Sequence, residues 1–343
     1  MNIKKGRNMH SDSALNLQKR VLVQNEIFLT EKLSSGGQGI VYRAMDSDSK
    51  PLAVKVITKQ YSRQNPAQVS ASQTMSVHRE ALLLKNIDHP ASLKYHSFHE
   101  DDVAWYVVTE LLEGDDLFEV VCTSSFTENE ILSIVKQLCE LLVYLHANGI
   151  SHRDIKLENV VCVRKGSLRV KLIDYGLAHS AQLEGSNVVS THPGTHVYKA
   201  PELVLRQTDM DPRPADLWAL GCMMYTACCG EYAFKGASDD LLAQSIVKKD
   251  LDLSLVVFKK VTSPFKQLLK DLLVKDPSCR LTAKQALERV ETILAGRVVR
   301  SSGSSGTNEK QTRSSIHPSE PQQVGHRSGQ MTKALKQMGL LPA

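Results

Sequence analysis

The sequence predicts an α+β fold of two lobes, a small β-rich one followed by a larger helical one. Three observations carry this expectation. Residues 21–110 hold β-branched runs broken by turn residues, the signature of strands. From 115 onward apolar residues recur with helical periods. Between them Glu110-Leu111-Leu112-Glu113-Gly114 is a short stretch that would join the lobes. Strands first and helices afterwards is the α+β pattern.

In the first lobe the runs IFLTEKL, GIVYRAM and PLAVKVI read as strands. VSASQTMSVHREALLLKNI reads as a helix with Glu80, Leu83, Leu84 and Ile87 on one face. AWYVVTELL is a further apolar strand. In the second lobe, apolar residues at 131, 134, 135, 138, 141, 142 and 145 mark a long helix. Thr127 and Glu130 form a capping box ahead of it and Gly149 ends it. ADLWALGCMMYTACC is apolar almost all round, as a helix inside a lobe would be. No internal repeat is visible. Past residue 296 the Ser/Gly-rich SSGSSGTNEKQTRSS reads as flexible, with QMTKALKQM as a short closing helix. The expected organisation is a basic disordered extension (1–20), a folded domain (21–296: first lobe 21–109, hinge 110–114, second lobe 115–296) and a flexible tail (297–343).

At 343 residues, 42% hydrophobic and 23% charged, the chain can bury a sizeable core. It has no run of eighteen apolar residues, so membrane insertion is not expected. The basic start has no apolar segment behind it, residue 2 is Asn, and GLLPA carries no prenylation pattern, so neither secretion nor lipidation is expected. Seven cysteines without metal-ligand spacing read as buried or inert thiols of a cytoplasmic protein, a nuclear one being left open. The net charge of +5 is uneven. Residues 1–20 hold five Lys/Arg against one Asp, and 297–343 hold seven against two Glu. The remainder has 30 basic and 34 acidic residues, which argues against a nucleic-acid-binding core.

Several motifs suit phosphate chemistry. In Leu33-Ser34-Ser35-Gly36-Gly37-Gln38-Gly39-Ile40-Val41 the small residues let the backbone approach phosphates closely, although an ordinary hairpin turn reads the same way. Lys55, in Ala53-Val54-Lys55-Val56, is a cation inside an apolar strand. It must either meet a negative charge or lie on a solvent-facing edge. Glu80 is its natural partner, or else a solvated helix glutamate.

The decisive segment is Ser151-His152-Arg153-Asp154-Ile155-Lys156-Leu157-Glu158-Asn159, followed by Leu172-Ile173-Asp174-Tyr175-Gly176. With these the chain resembles the eukaryotic protein kinase family. Gly194-Thr195, Ala200-Pro201-Glu202, Asp216-Leu217-Trp218-Ala219-Leu220-Gly221 and Arg280 also fit that family, and the resemblance covers about residues 25–295. It implies the bilobal protein kinase fold and transfer of the γ-phosphate of ATP, with Mg²⁺, to protein Ser/Thr hydroxyls. Lys156 resembles the Ser/Thr type, and the pattern is similar to the calmodulin-dependent-kinase-like group.

The resemblance also implies roles. Lys55 would hold the α- and β-phosphates, oriented by Glu80; Asp154 would take the substrate proton; Lys156 would steady the γ-phosphate; and Asn159 and Asp174 would bind Mg²⁺. Leu33, Ser34, Ser35, Gly36, Gly37, Gln38, Gly39 and Val41 would cover the nucleotide, with Ala53 and Val161 against adenine. Thr109 would be the gatekeeper, Glu110 and Leu112 would offer backbone hydrogen bonds, and Asp116 would also line the ATP site. Glu202 would pair with Arg280 structurally. Thr191 would be an activating phosphosite read by Arg153, which would otherwise be a partly buried cation without its partner. Glu158 and Asp116 match positions that bind substrate arginine, although Thr226 leaves a third such position uncharged. Ordinary surface carboxylates are the alternative reading of Glu158 and Asp116. Protein substrates with basic residues upstream are expected, and separately a monomer. Departures are Ser34 for glycine, Gln38 for an aromatic, Ala233 for proline, and Tyr175 for phenylalanine, whose hydroxyl needs a polar neighbour. The competing readings are a pseudokinase scaffold and a small-molecule kinase. The first is opposed by the intact catalytic set, the second by Ala200-Pro201-Glu202 and Asp216 with Trp218.

Overall fold

A computed structural model describes residues 21–22, 27–36, 39–60, 70–189 and 193–302. Gly37, Gln38, Thr191, the 1–20 extension and QMTKALKQM lie outside the described residues. The described chain falls into two compact units. One holds the residues up to Glu113 together with Asp174–Gly176; the other holds Gly114–Ile173 and the residues from Leu177 on.

The first unit is built on an antiparallel sheet of six strands in the order β1-β2-β3-β4-β6-β5. They are β1 (Val21–Leu22), β2 (Ile27–Gly36), β3 (Gly39–Met45), β4 (Pro51–Thr58), β5 (Tyr95–Glu100) and β6 (Ala104–Glu110). Alternation along each strand sorts its side chains onto two faces. Tyr42, Val54, Val56, Tyr106 and Val108 are buried together in the core. The intervening residues share the opposite face: Lys55 pairs with Val41 and Val107, and Ala53 pairs with Thr109. A one-residue slip would exchange the two sets, so the apolar core fixes which face carries Lys55. Helix α1 (Ala71–Asn86) buries Val77, Ala81, Leu83 and Leu84, and Glu80 lies on that same buried face.

In the second unit α2 (Leu117–Thr123) precedes α3 (Glu128–Ala147). The expected capping box is present: Thr127 Oγ1 accepts from Glu130 N, and Glu130 Oε2 accepts from Thr127 N at 2.7 Å. Two short antiparallel ribbons follow, β7 (Ile150–Ser151) with β10 (His179–Ser180), and β8 (Val160–Cys162) with β9 (Val170–Leu172). Beyond them come α4 (Ala181–Glu184), α5 (Pro201–Val204), α6 (Arg213–Cys229), α7 (Asp239–Lys248), α8 (Ser263–Leu272) and α9 (Ala283–Ser302). Helix α6 is buried without a break from Ala215 to Cys228, as its all-round apolar sequence predicts. It packs on α3 and α8, and α9 packs on α3. Helix α9 crosses residue 296, where the sequence suggested that order ends, and continues to Ser302. No helix among the described residues is long and apolar enough to cross a membrane.

Candidate active site

In the first unit β2 and β3 form the Gly-rich hairpin, with Ser34 opposite Val41, Ser35 opposite Ile40 and Gly36 opposite Gly39. The register shifts around Leu33, which is left exposed. Gly39 has φ +140°, and a Cβ there would lie 2.6 Å from the Val56 carbonyl oxygen, so no larger residue fits. Strand β4 sends Lys55 to two carboxylates. Its Nζ lies 2.7 Å from Glu80 Oε1 and 3.2 Å from Asp174 Oδ1. Burial alone would pull the ammonium down; Glu80 and Asp174 outweigh it, and the Lys55 pKa stands above its ordinary value. The cation in the apolar strand has therefore met its charge, with Glu80 as one partner. Thr109 is buried, while Ala53, Glu110 and Leu112 are half-buried. Asp174 has φ +64°, and its Oδ1 also accepts from Gly176 N at 3.3 Å. The following residue, Tyr175, is fully buried, and its hydroxyl lies 2.7 Å from Ser92 Oγ, the polar neighbour its sequence requires.

In the second unit the loop after β7 gathers the remaining polar groups. Lys156 Nζ lies 2.8 Å from Asp154 Oδ2. Thr195 donates to Asp154 Oδ1 from Oγ1 at 3.0 Å and from its N–H at 3.2 Å. Lys156 Nζ donates to Thr195 Oγ1 at 3.0 Å, and Asn159 Nδ2 donates to Asp154 Oδ2 at 3.0 Å. Burial pushes the Asp154 carboxyl up; Lys156, Thr195 and His152 together outweigh it, and the group is held below its ordinary value. This is an ionised, oriented carboxylate backed by a lysine. Gly194 has φ +104°, and a Cβ there would lie 2.8 Å from the Arg153 carbonyl oxygen, so glycine lets the Thr195 segment reach the loop. Val161 in β8 is half-buried and bridges to Asp116.

One functional residue received no role from sequence reasoning. Asp216, fully buried in α6, accepts from His152 N at 2.9 Å, Arg153 N at 2.8 Å and His146 Nε2 at 2.9 Å. It thus holds the backbone on the two residues before Asp154. The available signal was a carboxylate in an otherwise apolar helix, which must find donors to be buried at all.

Arg153 has φ +65°, and its Nε donates to the Leu177 carbonyl at 2.8 Å. The expectation of a cation without a partner is corrected here: a backbone carbonyl already engages it. Asp116 caps α2, accepting from Glu119 N at 2.9 Å, and burial raises its pKa. Glu158 is half-buried with a buried Oε2 that has no hydrogen-bond partner among the described residues. Burial raises its pKa, Lys156 opposes, and Asp116 and Asp154 add to the rise. Thr226 is buried and back-bonds to the Cys222 carbonyl at 3.0 Å. Glu202 and Arg280 form a buried two-pronged ion pair at 2.7 and 2.9 Å.

No cluster of three or more His, Cys, Asp or Glu suited to a metal occurs among the described residues. Asn159 Oδ1 and Asp174 Oδ2 each lack a hydrogen-bond partner among them. Each residue, taken within its own unit, thus carries an oxygen donor of the hard type that Mg²⁺ takes.

The protein kinase domain family matches residues 28–290, and the chain belongs to that family. Among curated relatives, a probable myosin light chain kinase of Dictyostelium discoideum is 34% identical over 242 residues, covering 70% of this chain and 66% of that protein. Serine/threonine-protein kinase 33 of Bos taurus is 30% identical over 265 residues, covering 75% of this chain and 53% of that one. A second probable myosin light chain kinase of Dictyostelium discoideum is 33% identical over 267 residues, covering 76% of this chain and 81% of that protein. The chain thus spans from about half to four-fifths of the relatives it matches.

Proposed function

We propose that the protein is a serine/threonine protein kinase whose kinase domain spans residues 21–296 and which acts on protein substrates with ATP. The observation that supports this best is the Asp154 cluster, an ionised carboxylate tied to Lys156 and Thr195. Such a carboxylate can accept the proton of a substrate hydroxyl while that oxygen bonds to the γ-phosphorus and the bond to the ADP oxygen breaks. In this reading Lys55, held by Glu80, pairs with the α- and β-phosphates, and Lys156 balances charge on the transferred group. Asp174 and Asn159 would hold Mg²⁺, which would supply charge neutralisation at phosphate oxygens. The hairpin from Leu33 to Val41 covers the nucleotide, Ala53 and Val161 flank adenine, Thr109 limits the depth of its pocket, and Glu110, Leu112 and Asp116 offer polar contacts. The relatives' names, serine/threonine and myosin light chain kinases, support a hydroxyl acceptor.

Glu158, with its unpartnered buried oxygen, and Asp116 recognise a basic residue upstream of the acceptor. Phosphorylation of Thr191 activates the enzyme by recruiting Arg153.

The test is transfer from Mg-ATP to serine peptides by the purified chain. Transfer is expected, and it should be lost in a folded Asp154→Asn variant. ATP binding without transfer would instead make the protein a nucleotide-binding scaffold.

A further inference from the structure

The second unit carries an open pocket of about 470 Å³ next to the Asp154 cluster in sequence. Its lining includes His196, Lys199 and Arg206, with Asp239 and Asp240 at the start of α7. His196 directly follows Thr195, the residue that bonds both Asp154 and Lys156. A chain advances at most about 3.6 Å per residue, so Lys199 lies within about 15 Å of Thr195. A peptide whose hydroxyl reaches Asp154 therefore has its near neighbours within range of this pocket.

The charges lining it are unequally satisfied. Asp239 meets His196 Nδ1 at 3.2 Å. Asp239 and Asp240 also occupy the first turn of α7, where the helix dipole offsets carboxylates. Lys199 and Arg206 have no such relief: neither side chain makes a hydrogen bond or ion pair among the described residues. Lys199 is half-buried while Arg206 is exposed. Burial and then the Arg206 charge both depress the Lys199 pKa, Asp239 opposing, so two cations crowd a concave surface without a counter-charge in contact. Arg206 also has φ +52°, a conformation uncommon for a non-glycine residue.

We propose that this pocket receives an anionic side chain of the protein substrate, a carboxylate or a phosphate, and that Lys199 and Arg206 determine specificity by binding it. The proposal rests on the kinase reading above and deepens it. Such a substrate would be read at two points of opposite sign, a basic residue by Glu158 and Asp116 and an acidic one here.

The experiment uses the full chain, Mg-ATP and serine peptides carrying Asp, Glu, phosphoserine, Arg or Ala at each of the four positions on either side of the acceptor. At one position an anion should raise kcat/KM about tenfold over alanine, the size of one or two partly exposed charge-assisted hydrogen bonds. That ratio should fall towards one in Lys199→Met and in Arg206→Gln. In Lys199→Glu it should invert in favour of an arginine peptide, which a merely structural role would not produce. A phosphoserine preference identifies phosphate as the ligand, and equal response to Asp and Glu identifies carboxylate. A flat ratio in the native protein, or one that survives both substitutions, overturns the proposal. If no peptide is phosphorylated, the kinase reading fails separately, and fluorescence anisotropy with the same labelled peptides decides the pocket. Tighter binding of the anionic peptide, lost in Lys199→Met, supports it; equal binding overturns it.

Discussion

The phenol of Tyr175 and the hydroxyl of Ser92 lie 2.7 Å apart, both buried in the unit that also carries Lys55. Asp174, beside Tyr175, bonds Lys55, so this contact anchors the backbone that presents the carboxylate. Tyr175→Phe should cost about 1–2 kcal/mol, because the buried Ser92 hydroxyl loses one of its hydrogen bonds. The double variant Tyr175→Phe with Ser92→Ala should cost less than the sum of the single changes. Denaturant unfolding of the four proteins checks this, and strict additivity would show that the two hydroxyls do not support one another.

The Asp154 carboxyl is held low against the pull of burial, with Lys156 the leading opposing group. Its contribution to stability is therefore present above the unfolded carboxylate range and lost as pH falls through the lower folded value. On the kinase reading, the acid limb of kcat/KM should lie below about pH 4, the ordinary range for Asp. Lys156→Met should move that limb to higher pH while also lowering the rate. A pH profile with an unmoved limb would mean that another group titrates there.

Glu202 and Arg280 are fully buried against one another, and Arg280 also donates to the carbonyls of Val274 and Pro214. Removing one partner strands a charge in the interior. Glu202→Ala should destabilise by about 3–5 kcal/mol. Arg280→Lys should also destabilise, since one ammonium cannot replace the two-pronged fork. Thermal unfolding measures both, and a loss near zero for Glu202→Ala would show that the pair is not buried in solution.

The lone buried oxygen of Glu158 gives the basic-substrate reading a specific handle. Glu158→Gln should reduce preference for arginine upstream of the acceptor by about 1.5–3 kcal/mol if that contact is desolvated. A peptide library compares the native protein with the variant. An arginine preference that survives unchanged would assign the reading to Asp116 instead.

Phosphorylation at Thr191 should raise activity. A phosphate adds about −1.5 to −2 charges, and a guanidinium can bind it with two parallel hydrogen bonds. Because Arg153 already donates to the Leu177 carbonyl, the phosphate would have to add to or replace that contact. Mass spectrometry of active enzyme beside a Thr191→Ala variant tests this, and full activity without modification would assign the ordering of the segment to other contacts.

Much of this fold can be read from the letters. The β-branched run PLAVKVI and the apolar run AWYVVTE mark two central strands, and the all-apolar run from Ala215 marks a buried helix. Strand β5 is harder to see, because YHSFHE is polar and lies at the sheet edge, where one side needs no apolar partner. The β7–β10 ribbons are two or three residues long, too short for a period. In the candidate site, the loop around Asp154 announces itself as a contiguous motif. Lys55 and Glu80 pair by the need of a strand cation for a negative charge, whereas Glu202 and Arg280, 78 residues apart, are linked in the sequence only by family resemblance. The donors to Asp216 and the two cations of the 470 Å³ pocket depend on which surfaces folding brings together, and no local pattern encodes that.

Gly221 follows Asp216 on α6, and a Cβ placed there would lie 2.9 Å from Leu272 Cβ and 3.0 Å from the Leu273 side chain. The spacing between α6 and α8 is thus set at the width of a bare backbone. Because Asp216 grips the N–H groups of His152 and Arg153, any outward displacement of α6 would pull on the residues beside Asp154. The helix works as a tether between the apolar interior and the reactive loop. A single methyl added among leucines would therefore be felt as misaimed chemistry as well as lost stability.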